Sequence, residues 1–404
     1  MPGHKTAIVI GGGIIGVTGA YALARDGWRV QVLDAMPDVG LGASFGNGRQ
    51  LSYSHTNALA SPSLLPQLPR LALGCDDAFR INPRLDPAFA SWVVQFLRQC
   101  TSGQHRRNTL DALRLAEESR RAMERFLEQH PVEFDRRQTG KLVLLRGERA
   151  LADAQASVEA KRAHGLDQRL LKPEEAFDVE PALRNSADPI DGAIHTPSDE
   201  SGDCRRFAQE LIALAKEEYA VEFLPNSAVA GLERRGQSSV VTLASGDELD
   251  AQLVVVSCGH GSNSLLAPLG LRLPIEAMKG YSFTAPLGNA APIASVTDSQ
   301  RRLVFTHLGD RMLVAGIAEM GRVSNEVEPD RLASMIAAAR ASLPEAAVYS
   351  EASPGWVGMR PMTPNSLPIT RMLAPGIAAN TGHGMLGWTM AMGSAERLAK
   401  AVRV

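Results

Sequence analysis

Arg360 is the side chain best suited to anchoring a small substrate. It stands in the segment Gly-Met-Arg-Pro-Met-Thr-Pro, in which Pro361 and Pro364 stiffen the backbone on its C-terminal side. A planar guanidinium group matches a carboxylate through two parallel hydrogen bonds. The segment therefore predicts a carboxylate clamp. The alternative is a salt bridge on the surface, where most arginines lie.

Three glycines near the N-terminus, Gly11, Gly13 and Gly16, form the pattern G-x-G-x-x-G. They lie between a predicted strand at 6–10 and a predicted helix at 14–25, which is the context that gives this pattern meaning. The first glycine allows a tight turn, the second lets a pyrophosphate approach the backbone, and the third lets the helix pack closely on the strand. The free N–H groups at the start of the helix favour phosphate. We therefore predict a dinucleotide site.

Asp34 follows the second predicted strand, 29–33. It lies about 20 residues after the first glycine, where an acid accepts hydrogen bonds from ribose hydroxyls and repels the 2′-phosphate of NADP. The alternative is a glycine turn in a protein that binds no dinucleotide. FAD and NAD fit this unit equally well, so other segments must choose between them.

The C-terminal segment 379–390, Ala-Asn-Thr-Gly-His-Gly-Met-Leu-Gly-Trp-Thr-Met, favours a flavin. Its three glycines let the backbone pass close to a planar ligand. The helix predicted after the loop places partial positive charge near an isoalloxazine ring that becomes anionic on reduction. A buried strand at 253–257, followed by Cys258 and Gly259, fits the same picture more weakly, because many buried strands end in glycine.

The chain resembles the D-amino acid dehydrogenase small-subunit family, within the glycine oxidase/D-amino acid oxidase group of flavoproteins. The most specific matches are Pro-Ser-Asp-Glu-Ser-Gly-Asp-Cys at 197–204 and the segment 380–390, and the similarity spans nearly the whole chain. The resemblance implies non-covalent FAD and oxidation of a D-amino acid to the imino acid by hydride transfer to flavin N5. It also implies a quinone or respiratory carrier as electron acceptor. Residues 53–86 and Met385 depart from the family, so the substrate stays open.

The resemblance also assigns the FAD site. The residues carried over from the family are Gly11, Gly13, Gly16, Asp34, Ser44, Asn47, Gly48, Gly259, Gly382, His383, Gly384, Gly387 and Thr389. The predicted FAD-binding set is completed by Ile14, Ile15, Ala35, Val229, Cys258, Gly358, Arg360, Met385, Leu386 and Trp388. We expect His383 to act through its backbone and Trp388 to serve in packing.

Five residues are expected to contact substrate: Arg360, Tyr53, Tyr281, His55 and His307. In the resembling family, the arginine of the Arg360 motif is the carboxylate clamp. Tyr53 and His55 follow a turn that the resemblance puts near the flavin, and Tyr281 is expected to line the pocket from a second sheet. His307 ends a predicted strand and would take the amine proton, since histidine titrates near neutrality. The alternatives are packed aromatic rings and surface histidines.

Two further charged segments are given no catalytic role. Lys279 either touches the flavin through water or is solvated. Asp199, Glu200 and Asp203 form an acidic loop, which we interpret as a turn and a helix cap because no metal-ligand partners accompany it.

The predicted fold is α/β, with a Rossmann-like FAD-binding domain and a discontinuous α+β substrate domain built on an antiparallel sheet. The boundaries are 1–57, 192–268 and 345–404 for the first domain, and 58–191 and 269–344 for the second. Strands of the second sheet are expected at 281–285, 303–306 and 312–315. Helices are expected at 108–129, capped by Asn108 or Thr109, at 204–216 and at 391–402. The proline-rich stretch 61–87 is expected to be irregular.

Composition narrows the class of protein. The chain has 404 residues and 45% hydrophobic content, which suits a large enzyme with a sizeable core. The balance of 42 basic and 44 acidic residues argues against a nucleic-acid-acting flavoprotein of related fold. No apolar run reaches about 18 residues, so no transmembrane helix is expected. Without a signal peptide, we expect a cytoplasmic protein, with peripheral attachment to the inner face of the membrane left open. The four cysteines are expected to be free structural thiols.

Several alternatives remain at this point. The substrate is a primary D-amino acid or a secondary amine such as D-proline, hydroxy-D-proline or sarcosine. The chain acts alone or as the flavin subunit of a heteromeric dehydrogenase. Electrons pass to a respiratory acceptor or to O₂, as in an oxidase. The alternative from another class is a scaffold subunit that holds FAD without catalysis.

Overall fold

The structure, a computed structural model, describes residues 5–76, 78–163, 165–236 and 238–403; the first four residues of the predicted segment 1–57 lie outside this part. The helices are α1 (Ile14–Arg25), α2 (Leu68–Ala72), α3 (Pro87–Gln99), α4 (Ser102–Gln129), α5 (Glu148–Arg162), α6 (Pro173–Val179), α7 (Cys204–Tyr219), α8 (Ser262–Leu266), α9 (Pro329–Ser342) and α10 (Gly387–Ala401). The strands are β1 (Thr6–Ile10), β2 (Arg29–Leu33), β3 (Gln50–Leu51), β4 (Phe79–Ile81), β5 (Lys141–Leu145), β6 (Arg169–Leu171), β7 (Gly192–Thr196), β8 (Glu200–Ser201), β9 (Glu222–Leu224), β10 (Val229–Arg235), β11 (Ser238–Leu243), β12 (Glu248–Ala251), β13 (Leu253–Val256), β14 (Glu276–Pro286), β15 (Ser295–Asp298), β16 (Leu303–Leu308), β17 (Arg311–Met320), β18 (Trp356–Met362), β19 (Ile369–Ala374) and β20 (Ile377–Thr381).

A six-stranded sheet carries the glycine motif. Its order is β19-β20-β13-β1-β2-β9, and β1 pairs in parallel with both β2 and β13. The central strands read as unbroken apolar runs because helices or further strands cover both faces of a parallel sheet. The predicted strands 6–10 and 29–33 and the predicted helix 14–25 are confirmed at their bounds, and so is the Rossmann-like fold class.

Helix α4 begins earlier than the sequence pattern predicts. It starts at Ser102, and the side chain of Thr101 caps it by accepting a hydrogen bond from Gln104 N at 3.3 Å. The predicted cap at Asn108 or Thr109 is wrong, because both side chains serve tertiary contacts. Asn108 donates to Gln99 Oε1 at 3.0 Å, and Thr109 Oγ1 accepts from Ala58 N at 3.1 Å. The polar first turns of the helix lack the apolar spacing that sequence analysis relies on.

The second large sheet has the order β18-β14-β17-β16-β15-β5-β7-β6, and β4 adds to β17. The predicted strands at 281–285, 303–306 and 312–315 lie within β14, β16 and β17, which pair antiparallel as expected. β7 and β18 also belong to this sheet, through β5 and β14. The domain boundaries predicted at 192 and 345 therefore cut through it. The division into two domains stays a prediction, since the chain crosses between the sheets several times.

The remaining differences concern short elements. The stretch predicted as irregular, 61–87, contains a 3₁₀ helix at Pro62–Gln67, helix α2 and strand β4. Proline is compatible with the first turn of a helix, so a high proline content does not exclude short helices. Helix α10 starts at Gly387, four residues before its predicted start. Strand β11 lies in a separate three-stranded sheet, β10-β11-β12.

Within the described ranges, none of the helices is long and apolar enough to cross a membrane. The same residues contain no group of acidic, histidine or cysteine side chains that would hold a metal ion. The cysteines at 75, 100, 204 and 258 are free thiols, as predicted.

Candidate active site

A cavity of about 1370 Å³ lies where the two large sheets meet. One end is formed by the glycine turn after β1 and the other by side chains of β14, β16, β17 and β18. The loop that leads into α10 forms a third wall. A single continuous space therefore joins the predicted dinucleotide motif to the predicted carboxylate clamp.

The three motif glycines have different surroundings. Gly11 has φ +113°, and a Cβ there would lie 2.7 Å from Ser257 O. A Cβ on Gly16 would overlap the carbonyl oxygen of Gly11, so helix and turn touch at this point. Gly13 lines the cavity, and a Cβ there would meet only Ser44 Oγ, at 3.5 Å. The space beside the Gly13 backbone is therefore open, as contact between that backbone and a ligand requires.

Polar groups surround the start of α1. Ile14 N donates to Ser44 Oγ at 3.0 Å. The Asp34 carboxylate accepts hydrogen bonds from Gly12 N and, at 2.7 Å, from Met36 N. A carboxylate offers about four acceptor positions. Asp34 lines the cavity and retains acceptor capacity there, as the predicted ribose contact requires.

The loop before α10 brings backbone to the opposite side of the cavity. Gly382 and Gly384 have φ +80° and +55°, a region that favours glycine. His383 Nε2 lies 2.7 Å from Ser394 Oγ, and burial lowers the pKa of His383 to about 3. With so low a pKa the ring is a very weak base, which agrees with the expectation that His383 acts through its backbone.

Trp388 serves in packing, as expected. Its Nε1 donates to Gly202 O at 3.1 Å, and its ring lies 5.1 Å from the ring of Phe207, centre to centre. The indole therefore ties the start of α10 to α7 while one edge lines the cavity.

The predicted FAD-binding residues converge on this cavity. The lining includes Gly11, Gly13, Ile14, Ile15, Asp34, Ala35, Ser44, Asn47, Gly48, Val229, Cys258, Gly259, Gly358, Arg360, Gly382, His383, Gly384, Met385, Leu386, Gly387, Trp388 and Thr389. Gly16 is the exception, because it packs beneath Gly11. The free helix N–H groups, the open face of Gly13 and the acceptor at Asp34 fit the pyrophosphate and ribose of FAD. The individual contacts remain predictions.

Arg360 lines the cavity from β18 and has no hydrogen bond or ion pair among the described residues. A Cβ on Gly280 would overlap its guanidinium group, so the group lies directly against the backbone of β14. Burial lowers the pKa of Arg360 to about 10, which still leaves it protonated at neutral pH. A partly buried cation without a protein partner is costly unless a ligand supplies the anion.

Two more of the predicted substrate contacts line the cavity, and both are neutral. Tyr281 Oη lies 3.5 Å from Glu319 Oε2, and burial, with Glu319, raises the pKa of the phenol. His55 Nε2 accepts from Gln168 Nε2 at 3.0 Å. Burial and the nearby lysines 141 and 161 lower the pKa of His55 well below its usual value. Neither side chain carries charge at neutral pH.

Tyr53 and His307 lie outside the lining of this cavity, which corrects the expectation that they reach the substrate. Thr306 Oγ1 donates to Gly48 O at 3.2 Å, toward the cavity, so the next residue of the strand, His307, points to the other face. Ser52 lines the cavity, whereas Tyr53 is buried in the apolar core behind it. Tyr53 directly follows Ser52, which lines the cavity. His307 lies three positions after Val304, which also lines it, so His307 is on the opposite face of the strand.

The other charged residues singled out in the sequence are structural. Lys279 is fully buried, and its Nζ donates to Glu326 O at 2.6 Å, so it is neither solvated nor at the cavity. Asp203 caps α7 by accepting from Arg205 N and Arg206 N, as predicted. Glu200 forms two hydrogen bonds of 2.7 Å with Arg136.

A buried charged cluster that sequence analysis missed supports the wall of the cavity. Lys141 Nζ donates to Gln50 Oε1 and Ser52 Oγ, both at 2.9 Å, and Lys161 Nζ donates to Ser54 O at 2.8 Å. Burial lowers the pKa of both lysines to about 8. All of these bonds hold one short segment, which runs from β3 to His55.

Asp199 completes the cluster. It is fully buried, and its Oδ1 accepts from Ser54 N at 3.2 Å. Burial raises the pKa of Asp199 to about 6, against the influence of Lys141 and Lys161. The three charged residues come from a strand, a helix and a loop that are far apart in the chain. No local sequence pattern therefore predicts the cluster.

Comparison with known proteins places the whole chain in one family. The model of the DAO family, described as FAD dependent oxidoreductase, matches residues 6–401. The D-amino acid dehydrogenase of Rhizorhabdus wittichii is 35% identical over 398 residues, which cover 98% of this chain and 95% of the relative. That of Cereibacter sphaeroides strain ATCC 17023 is 38% identical over 399 residues, covering 98% and 91%.

Solved structures show the same fold. Glycine oxidase from Geobacillus kaustophilus superposes with a TM-score of 0.76 at 20% identity, covering 99% of this chain and 95% of the other. L-proline dehydrogenase from P. horikoshii gives a TM-score of 0.76 at 20% identity, covering 100% and 94%.

Proposed function

The chain belongs to the DAO family of FAD-dependent oxidoreductases, and on that premise we propose that it oxidises D-amino acids whose carboxylate is held by Arg360. It is an FAD-dependent amino acid dehydrogenase, in agreement with its D-amino acid dehydrogenase relatives. The single observation that supports the assignment of Arg360 is that its side chain has no hydrogen bond or ion pair with the described residues, in a cavity lined by the predicted FAD-binding residues.

The cavity would hold FAD, and the cofactor would supply the hydride acceptor for oxidation at the substrate Cα. The residues of this chain supply binding and orientation. Arg360 is charged and lies against Gly280, so it offers a guanidinium at a fixed depth in the cavity. Tyr281 lines the same wall, but its hydroxyl donates to Glu319 Oε2 at 3.5 Å, so its ring shapes the cavity. Oriented binding of this kind accounts for a large part of rate enhancement when the cofactor performs the chemistry.

The test is an anaerobic titration of the FAD-loaded protein with paired D- and L-amino acids, together with proline, hydroxyproline and sarcosine, while the flavin absorbance is recorded. We expect D-isomers to bleach the flavin and their L-isomers to leave it oxidised. Bleaching by L-isomers alone would overturn the stereochemical assignment. Bleaching restricted to secondary amines would redirect the proposal to a D-proline or hydroxy-D-proline dehydrogenase.

For the electron acceptor we propose a quinone or another respiratory carrier, in line with the dehydrogenase relatives. The reduced protein is mixed in stopped flow with a soluble quinone or with air-saturated buffer. We expect reoxidation by the quinone to be the faster of the two. Faster reoxidation by O₂, with release of hydrogen peroxide, would identify an oxidase.

A further inference from the structure

The side chains that line the cavity have an excess of positive charge. Among the described lining residues the only carboxylate is Asp34, at the nucleotide end, and the cations are Arg49, Lys141, Arg302 and Arg360. Arg49 is paired with Asp203 at 2.9 Å, outside the lining. The pyrophosphate of FAD accounts for negative charge at the glycine turn, but Arg302 and Arg360 lie on the other sheet.

Among the described residues, Arg302 has one ionic partner, and the contact is long. It directly precedes β16, and its guanidinium lies 5.3 Å from the centre of the Phe79 ring. Its Nη1 is buried with no hydrogen bond among the described residues, and the nearest carboxylate oxygen, Asp76 Oδ2, is 3.7 Å away. The other oxygen of Asp76 accepts from the backbone N–H groups of Ala78 and Phe79. Arg302 is therefore oriented by a ring and a turn while hydrogen-bonding capacity remains.

The sheet register relates the backbone positions beside which the two guanidinium groups lie. Gly280, against which Arg360 lies, is opposite Ala318 on β17, and Ala318 is opposite Phe79 on β4. Gly280 and Phe79 are thus two strands apart, about 10 Å at the usual strand spacing. At a spacing of this order separate carboxylates fit the two groups, because charge-assisted N–H···O bonds are only about 2.8 Å long. The two cations suit two anionic groups of one ligand.

We propose that Arg302 binds the side-chain carboxylate of the substrate, so that the enzyme prefers short dicarboxylic D-amino acids to neutral ones. This inference rests on the proposed function, in which Arg360 holds the α-carboxylate. The second carboxylate then lies on the β4 side of the cavity, beside the Phe79 ring. It accepts from Nε and Nη2 of Arg302, which, unlike Nη1, are not fully buried and have no hydrogen bond among the described residues.

The first test compares D-glutamate with D-glutamine, and D-aspartate with D-asparagine, in the wild-type holoenzyme and in Arg302→Met. We expect kcat/KM to favour the acid over its amide in the wild type. In Arg302→Met this ratio should fall by about 10- to 100-fold, because a hydrogen bond to a charged group is lost. Arg340→Met, an exposed arginine on α9, is the control and should retain the wild-type ratio. A wild type that does not distinguish acid from amide overturns the inference, even if neutral D-amino acids are oxidised.

The second test uses binding alone, so it stands apart from turnover and from the folding of any variant. Glutarate and pentanoate, which differ in one carboxylate, are titrated into the oxidised wild-type holoenzyme, and binding is followed by the shift of the flavin absorbance band. We expect glutarate to bind at least about 10-fold more tightly, for the same reason. Equal dissociation constants overturn the inference. Tight glutarate binding in an enzyme that no D-amino acid reduces would uphold the dicarboxylate site while refuting the proposed function.

Discussion

The two ends of the cavity are built in different ways. The nucleotide end is made of backbone from short continuous stretches, 11–16 and 382–387, and its shape depends on the absence of Cβ atoms. The substrate end is made of single charged side chains from segments that are far apart in the chain and meet at one sheet, such as Arg302, directly before β16, and Arg360, on β18. A side chain added at the nucleotide end should therefore abolish FAD binding. Removal of a charged side chain at the substrate end should lower the affinity for substrate in proportion to the charge removed.

The largest expected effect is at the glycine turn. In Gly13→Val we expect FAD binding to be lost while the apoprotein stays folded, because the new side chain enters open cavity space and meets only Ser44 Oγ. Circular dichroism of the apoprotein and the FAD content after reconstitution measure the two effects separately. A folded, fully loaded Gly13→Val protein would contradict the assignment of this turn.

Gly16→Val makes the matched comparison. Its side chain would overlap the Gly11 carbonyl, so we expect a large loss of stability even without FAD. Thermal unfolding of the apoprotein should therefore separate the two variants. Equal melting temperatures would show that the two glycines do not have different roles.

At the substrate end, Arg360→Met should lower kcat/KM for D-amino acids while FAD stays bound. Loss of a bidentate charge-assisted pair costs about 2–4 kcal/mol, roughly 30- to 1000-fold in rate. Steady-state kinetics and the flavin spectrum give the two measurements. Arg371→Met, on the exposed face of β19, is the control and should leave both unchanged. Wild-type kinetics in Arg360→Met would contradict the assignment of Arg360 as the carboxylate clamp.

The buried cluster behind the cavity should respond to pH in a defined direction. The folded-state pKa values of Lys141 and Lys161, about 8, lie below the unfolded value, so the cost of burying their charge is fully present below pH 8 and is relieved as pH rises above it. Above about pH 6, ionised Asp199 offsets part of that cost. Asp199→Asn should therefore lower the free energy of unfolding by about 2 kcal/mol at pH 7.

The same substitution should be less destabilising at pH 9, where the folded lysines are largely neutral. Urea unfolding at the two pH values measures the difference. Asp167→Asn, at an exposed position, serves as the control, with an expected change within about 0.5 kcal/mol at both. A destabilisation that grows between pH 7 and pH 9 would rule out this electrostatic account.

The smallest effect is expected far from both ends. Thr101→Ala removes the cap of α4 and should lower the free energy of unfolding by about 1 kcal/mol, with FAD content and kinetics unchanged. Ser102→Ala, one residue later, should have a smaller effect. If the two variants are equally stable, the cap lies elsewhere.

The strand–turn–helix unit at 6–25 and the glycine loop before α10 were readable from the sequence because each is a local structure. In each of these units the apolar run, the glycines and the start of the helix are consecutive in the chain. Groups that are close in sequence are therefore also close in space. Nearly all predicted cofactor residues consequently line one cavity. The exception, Gly16, has the packing role that its place in the motif predicts.

Only the tertiary structure decided which charged and titratable side chains face that cavity. Tyr53 lies one position after Ser52 and His307 lies three positions after Val304. Ser52 and Val304 line the cavity, and an odd number of steps reverses the direction of a side chain. Lys141, Asp199 and Arg302 reach the site through pairings between distant strands, such as β5 with β7 and β17 with β4. The pairing register of strands that are distant in the sequence cannot be inferred from local composition. The sequence by itself therefore determined the fold class, the cofactor and the glycine turns, whereas the polarity of the substrate end was determined by how the strands pair.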